Sequence, residues 1–449
     1  MRPDPFAPGD DLALAERLVR FGRSCGADEI EVGIGEGEEF SVDVRMGQIE
    51  NLVEAGSRYA GIRVIKDKRT AFASSSDMSE EALERLIRNA VKRAGLSQPD
   101  PFAGLADLSP IRIDPDALDI FDPEVIELEA KTKIRLALET ERIALADKRI
   151  SNSHGAGFSS HAARTYLAAS NGFAGTYAKT FCGLGVGLQA GETDDLVEDD
   201  WHSSRIHFRD LESPEQIART AVERTVRQLN PRKLGTRRVP VIFEPQMTGS
   251  LLGFLFGCIS GTAVYQRSTF LADRLGQKIG RDELTVIDDG LMPRRVGTGP
   301  FDSEGIPAQR TVVVDHGVLK RFLCNTYASR KLGLPVTGNA DGGGVGPNNF
   351  FLEPGPHDPA AIIRSCDRAL LLIRTLGHGL NAVTGDISRG AFGLWIENGE
   401  IVYPVSEITI AGNLGDVLQS VEMIGSDLDF RSSIAGPTIK VAEMLVAGS

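Results

Sequence analysis

Gly385–Leu414 reads GDISRGAFGLWIENGEIVYPVSEITIAGNL, and its centre decides the character of the second half of the chain. Ala391–Glu397 and Glu400–Val405 are strand-like runs, and Glu397-Asn398-Gly399 joins them. Asn-Gly supplies the positive φ angles of a tight hairpin, so the two runs pair as neighbours. Ser406–Ile410 continues as a third run. Upstream, Val239–Phe243, Arg310–Val314 and Val318–Asn325 read the same way, with Asp315-His316-Gly317 as a turn. Helices are expected near Met247–Ile259 and at Pro359–Arg374. Many short strands leave exposed edges unless they close, so a barrel-like or strongly curved sheet is expected over 236–449.

Residues 1–230 read differently, with helical segments bracketing strand-like ones. Asp11–Cys25 carries Leu14, Leu18, Phe21 and Cys25 at helical spacing. Strand-like runs follow at Glu29–Ile34, Glu39–Arg45, Tyr59–Ile65 and Thr70–Ser74, then a helix N-capped at Ser79. A second helix, Pro123–Asp147, is followed by runs at His161–Ala169, Gly172–Gly187 and Asp194–Ile206. A helix capped at Ser213 with Pro214 in its first turn closes that series. Both series run helix, antiparallel meander, helix. They indicate a duplicated unit, about 10–99 and 122–228, joined by Pro99–Asp122. Asn230–Gly235 is the linker to the β-rich half, and the fold class is α+β.

A net charge of −13 argues against a phosphate-neutralising face, so no nucleic-acid partner is expected. The apolar run Ser250–Val264 is too short and glycine-rich to span a bilayer. MRPDPFAPGDD lacks a basic segment followed by an apolar core, so no secretory signal is expected. Cys25, Cys182, Cys258, Cys324 and Cys366 are widely spaced without a CxxC pair and read as reduced thiols. These readings predict a soluble cytoplasmic chain without membrane contact.

The chain has no HExxH, HExxxH, GxSxG or Walker loop, and Gly342–Gly346 lacks the Lys-Ser/Thr and helix of a phosphate cradle. The seven histidines are scattered, none three or four residues from another. No helix therefore stacks two imidazoles as zinc requires. What remains are polar clusters. Asp302 and Glu304 share the loop Pro300–Gly305. Asp386 and Arg389 stand three apart before a strand, close enough for an ion pair, and Glu407–Asn413 ends a strand in small residues. Paired carboxylates can serve acid–base chemistry, and so can hydrogen-bonded loops without catalysis.

Three segments carry a family resemblance: Pro300–Gly333 (PFDSEGIPAQRTVVVDHGVLKRFLCNTYASRKLG), Thr337-Gly338-Asn339, and Gly385–Leu414. Together with the linker Asp100–Ala106 (DPFAGLA), they resemble the TldD/PmbA family, the modulator of DNA gyrase proteins, over about residues 10–445. In that family's catalytic branch a helix bears HExxxH followed by GLEG, and two His with a distant Cys hold zinc. Aligning GLEG with Cys258–Gly261 puts Leu252 and Gly257 at the His positions and Gly253 at the Glu. A shift of one residue gives Gly253, Cys258 and Phe254, and neither register restores a ligand set. Nothing after Cys366 is a cysteine.

Leu251–Leu271 (LLGFLFGCISGTAVYQRSTFL) instead resembles the PmbA/TldE branch. The resemblance implies a non-catalytic subunit of a heterodimeric metallopeptidase that matures leader peptides, as for microcins, and degrades unfolded chains such as an antitoxin. Zinc is then expected only on a TldD-like paralogue, with no cofactor here, and this chain supplies cavity walls and strand edges. The signature residues implied for the cavity are Phe301, Asp302, Ser303, Glu304, Gly305, Thr337, Gly338, Asn339, Asp386, Ser388, Arg389, Gly390, Gly412 and Asn413. Two other readings stay open: a homodimeric peptide-binding or regulatory protein, and a site rebuilt around Asp302, Glu304, Asp386 and Arg389.

Overall fold

The structure is a computed structural model and describes residues 11–192 and 196–448. The chain's first ten residues and the start of the Asp194–Ile206 run therefore lie outside the described residues. The first unit is α1 (Asp11–Ser24), β1 (Glu29–Arg45), β2 (Gln48–Lys66), β3 (Arg69–Ser75) and α2 (Glu80–Ala94). The second is α3 (Pro123–Glu127), α4 (Ala130–Leu145), β4 (Ile150–Ala169), β5 (Ala174–Ala190), β6 (Val197–Arg205) and α5 (Pro214–Val226). All six strands form one antiparallel sheet in the order β3-β2-β1-β4-β5-β6. The first strands of the two units meet edge to edge, so each unit hides the edge that the other would expose.

Alternation in β1 explains the layering. Ile30, Val32 and Ile34 pack with Leu18, Leu83 and Ile87 of α1 and α2. Phe40, Val42 and Val44 pack with Ala137, Ile217 and Ala221 of α4 and α5. These β1 positions share one parity, so all four helices cover one face. The sequence splits this strand in two because Gly33, Gly35 and Gly37 interrupt its pattern; the backbone nevertheless stays paired through them.

Local signals act as expected at α5. Ser213 and Gln216 form a reciprocal capping box, and Pro214 follows. Ser79 does precede α2, but its hydroxyl donates to Asp77 Oδ1 at 2.7 Å and does not cap the helix. The expected helix Pro123–Asp147 is two helices. Leu128 and Glu129 take extended angles between them, and Leu128 packs onto the apolar layer.

The C-terminal half closes a barrel. β7 (Arg237–Phe243) precedes α6 (Pro245–Ile259), and the later strands are β8 (Arg368–Leu376), β9 (Asp386–Glu397), β10 (Glu400–Asn413) and β11 (Ile439–Ala447). β8 runs parallel to β7 and antiparallel to β9; β9 pairs β10, β10 pairs β11, and β11 returns to β7. The ring therefore has no free edge, as the many short strands require. Asn398 and Gly399, at φ 52° and 79°, make the expected β9–β10 turn. Val241, Phe243, Leu370, Leu372 and Trp395 belong to the main core. Ile242, Leu371, Ile373, Leu394 and Ile396 pack outside it under Ile362.

That two-sided burial overturns the expected helix Pro359–Arg374. The helix ends at Arg364, and the following apolar run is barrel strand β8. A strand buried on both faces shows no alternation, so its periodicity resembles that of a buried helix. Likewise the expected strand Val318–Asn325 is a strand only over Val318–Leu319, with Leu323 adding a single bridge to Ser260, and Asn325 caps a helix over Thr326–Leu332 by accepting from Ala328 N. No helix among the described residues is long and apolar enough to cross a membrane.

Leu372 is fully buried in the barrel core. Leu372→Ala is expected to lower the unfolding free energy by about 2–5 kcal/mol, read as a drop in urea midpoint at unchanged slope.

Candidate functional site

The signature residues before Asn339 form a knot between the two halves, in which Glu304, Gly305, Thr337 and Gly338 are buried, Phe301 and Asp302 half-buried and Ser303 exposed. Asp302 Oδ1 accepts from Glu304 N at 2.9 Å and Ile306 N at 3.0 Å, and Oδ2 accepts from Ala340 N at 2.9 Å. One carboxylate thus ties Pro300–Gly305 to the end of Thr337–Asn339, while Ser303 N donates to Ala340 O. Gly305 sits at φ 77°, and a Cβ there would fall 2.8 Å from the Phe173 ring. Gly338, at φ 67°, would put one 2.8 Å from Pro307 O. Phe301 packs edge-on to Phe173 and Tyr177. Thr337 Oγ1 accepts from Cys324 N at 2.8 Å.

Beneath the knot, fully buried Asp288 accepts from Asn339 Nδ2 at 2.7 Å and from both nitrogens of Asn348. Burial pushes Asp288 up to about 6 and Asp302 up to about 7, against their hydrogen-bond donors. Glu304 Oε2 accepts from Thr326 N at 2.8 Å, and Oε1 pairs with Arg63 at 3.2 Å. Arg63 also holds Glu31 at 3.0 Å. These residues are drawn together in tying loops.

The second signature group lies at the barrel end. Asp386 accepts from Thr384 Oγ1 at 2.6 Å and Asn413 Nδ2 at 3.1 Å, and Asn413 caps the helix that follows. The expected ion pair of Asp386 with Arg389 is not formed among the described residues. Three residues apart on β9, the two face opposite sides of the strand, and Arg389 Nη1 reaches Ser250 Oγ of α6 at 3.3 Å. Ser388 and Gly390 share the parity of Asp386, and Gly412 pairs Ile387. Among the described residues no hydrogen bond or ion pair joins this group to the knot, so no centre combines Asp302, Glu304, Asp386 and Arg389.

On α6, Leu252 is buried in the main core. A Cβ at Gly253 would lie 3.9 Å from Ile434, and one at Gly257 would meet nothing within 4 Å. Cys258 is fully buried, and burial pushes its thiol up to about 11. Leucine and glycine offer no ligand atom and a buried thiol resists becoming thiolate, so this helix does not fit zinc. Among the described residues no three His, Cys, Asp or Glu side chains converge as a metal centre.

Beside α6 a cleft of about 880 Å³ opens between β6 and α5 on one side and α6, β8 and the segment 427–438 on the other. Arg224 crosses its floor, bonding Glu244 Oε2 and Gln246 Oε1 at 3.1 Å and lying 3.3 Å from Asp199. Arg227 adds a 2.7 Å contact to Glu244, immediately before α6. Arg431 pairs with Glu212 at 2.7 Å and lies over the Trp201 ring, 3.8 Å from its centroid. Sequence reasoning missed Trp201, Arg224, Glu244 and Arg431. They come from four separate segments, and only the fold assembles them.

Family models described as PmbA/TldA metallopeptidase domain 1, central domain and C-terminal domain match residues 30–94, 123–229 and 236–448. The chain belongs to the PmbA/TldD family. It is 37% identical to Metalloprotease PmbA of Escherichia coli O157:H7, covering 95% of this chain and 93% of that protein. It is 35% identical to the Metalloprotease PmbA homolog of Haemophilus influenzae, covering 96% and 94%. Among solved structures, a candidate modulator of DNA gyrase from Bacteroides thetaiotaomicron superposes with TM-score 0.90 at 25% identity, covering 98% of this chain and all of that one. TldE from Thermococcus kodakarensis shares the fold, with TM-score 0.88 at 23% identity over 96% and 99%.

Two variants probe the knot of this PmbA/TldD chain. Arg63→Met leaves Glu31 and Glu304 buried without their counter-charge, and an unfolding titration is expected to show a loss of about 3–5 kcal/mol. Asp302 is raised from about 3.9 unfolded to about 7 folded, so folding favours its protonated form. That contribution is complete below pH ~4 and is lost as pH rises through ~7. Asp302→Asn is therefore expected to cost most at pH 4–5 and least at pH 8 in paired thermal melts.

Proposed function

We propose that this chain is the non-catalytic, PmbA/TldE-like subunit of a heterodimeric TldD/TldE-type metallopeptidase. Its cleft helps to hold unfolded or leader peptides, and hydrolysis resides on a zinc-bearing TldD-like partner. The observation that carries this reading is α6. By its sequence resemblance, the positions matching the catalytic branch's ligands and base carry Leu252, Gly253 and Gly257, or Gly253, Phe254 and Cys258 one residue on, yet the helix borders a cleft of about 880 Å³. A cleft beside a helix whose matching positions hold no zinc-ligand set suits a wall of a shared cavity. An extended peptide can be gripped there through its backbone, which tolerates varied sequences.

The reading also covers setting and partners. Free cysteines, four of them buried, suit a reducing cytoplasm, and the net charge of −13 disfavours a nucleic-acid substrate.

The test is to purify the chain alone and with a zinc-bearing family member, then measure metal by mass spectrometry and cleavage of an unfolded fluorogenic peptide. The expected result is a stable pair, cleavage only by the pair, and about one zinc that follows the partner. Zinc at stoichiometry with cleavage by this chain alone would overturn the proposal. A self-associated chain that binds peptide and ignores the zinc-bearing relative would favour the homodimeric reading.

A further inference from the structure

Among the described residues Arg389 pairs with no carboxylate. On β9 it shares the inward parity of Ile387 and Ala391, both in the main core. Among the described residues its one side-chain hydrogen bond is the 3.3 Å contact from Nη1 to Ser250 Oγ, and its Nε is buried without a partner. Met247, Leu251, Phe254, Leu380 and Met444 wall the small chamber around it, and no acidic residue lines that chamber. Its volume is about 30 Å³, room for about two water-sized groups. Ser250 and Met247 line both this chamber and the large cleft, so the two are neighbours with the first turns of α6 between them.

A guanidinium presents five N–H donors in a planar fork that matches a carboxylate. Partly desolvated among methyl and methylene groups, it binds an anion more strongly than it would in water. Elsewhere around the cleft the arginines are already engaged by protein acids: Arg224 by Asp199 and Glu244, Arg374 by Glu198, and Arg431 by Glu212 and Asp429. Of these and Arg389, Arg389 alone has no acid partner among the described residues. We infer that Arg389 and Ser250 form an anchoring subsite for a carboxylate of the bound peptide, supplied by its free C-terminus or by an Asp or Glu side chain. The guanidinium takes the carboxylate oxygens and the Ser250 hydroxyl donates to one of them. The inference rests on the proposed peptide cleft and adds to it a preference in substrate.

The experiment is fluorescence anisotropy with one labelled unfolded peptide in three forms: free C-terminus without acidic residues, amidated C-terminus without acidic residues, and amidated with a single Glu. Binding is measured on the full chain and on its complex with the zinc-bearing partner, and cleavage is followed in the complex. The expected result is about ten- to hundredfold weaker binding of the form without any carboxylate. Whichever carboxylate-bearing form binds tightly identifies the source.

Arg389→Met should abolish the difference between forms, and Arg389→Lys should restore part of it. If Arg389→Met fails to fold, Ser250→Ala and the three peptides on the wild-type chain give the same reading. Equal binding of all three forms to wild type, with cleavage by the complex intact, overturns the subsite and leaves the proposed function standing. Absence of peptide binding and cleavage by every form removes both.

Discussion

Glu304 is the contact on which the assembly of the two halves turns. Buried to 6% exposure, it spends one oxygen on Arg63 of the N-terminal sheet and the other on the backbone of Thr326. A buried carboxylate is tolerable only when its charge is met and its lone pairs are used. Both conditions hold here only if the loop Pro300–Gly305 sits against β2. Asp302 fixes that loop with three backbone hydrogen bonds, and Phe301 fills the space against Phe173 and Tyr177. Lys179 of β5 donates to the carbonyl of Thr298 at 2.8 Å nearby. The first group of signature residues is thus a joint between halves.

The duplicated sheet makes such a joint possible. Its helices all lie on one face, which leaves the other free to receive the C-terminal half. Gly175 shows the fit: a Cβ there would fall 2.9 Å from the Phe301 ring. Glycine weakens a strand interior, and close approach of another group is a physical reason to accept that cost.

Legibility in the sequence followed the range of the interactions. The Asn398-Gly399 hairpin, the Ser213 capping box and the helix–meander–helix order are local, and each was readable from a few adjacent residues. Closure of the sheet was readable as a need, because short strands must lose their edges. Which strands close it was not: β8 looked helical because both its faces are buried, and β11 was not picked out at all. The signature residues were recognisable, but the sequence placed Asp386 beside Arg389 when strand geometry sends them to opposite faces. The cleft residues Trp201, Arg224, Glu244 and Arg431 had no sequence signal, because their meaning lies in contacts between distant segments.

Helix α6 shows why scaffold and chemistry separate so readily in this architecture. Leu251, Leu252, Leu255, Cys258 and Ile259 are buried in the main core, so the helix is held by apolar packing. Nothing in that packing asks for a metal. A cluster of ionisable ligands near a core costs desolvation that only a bound ion repays. Apolar replacements at such positions are often neutral or stabilising. Leu252, Gly253 and Gly257 offer this helix no ligand atom, and its apolar packing into the barrel uses none.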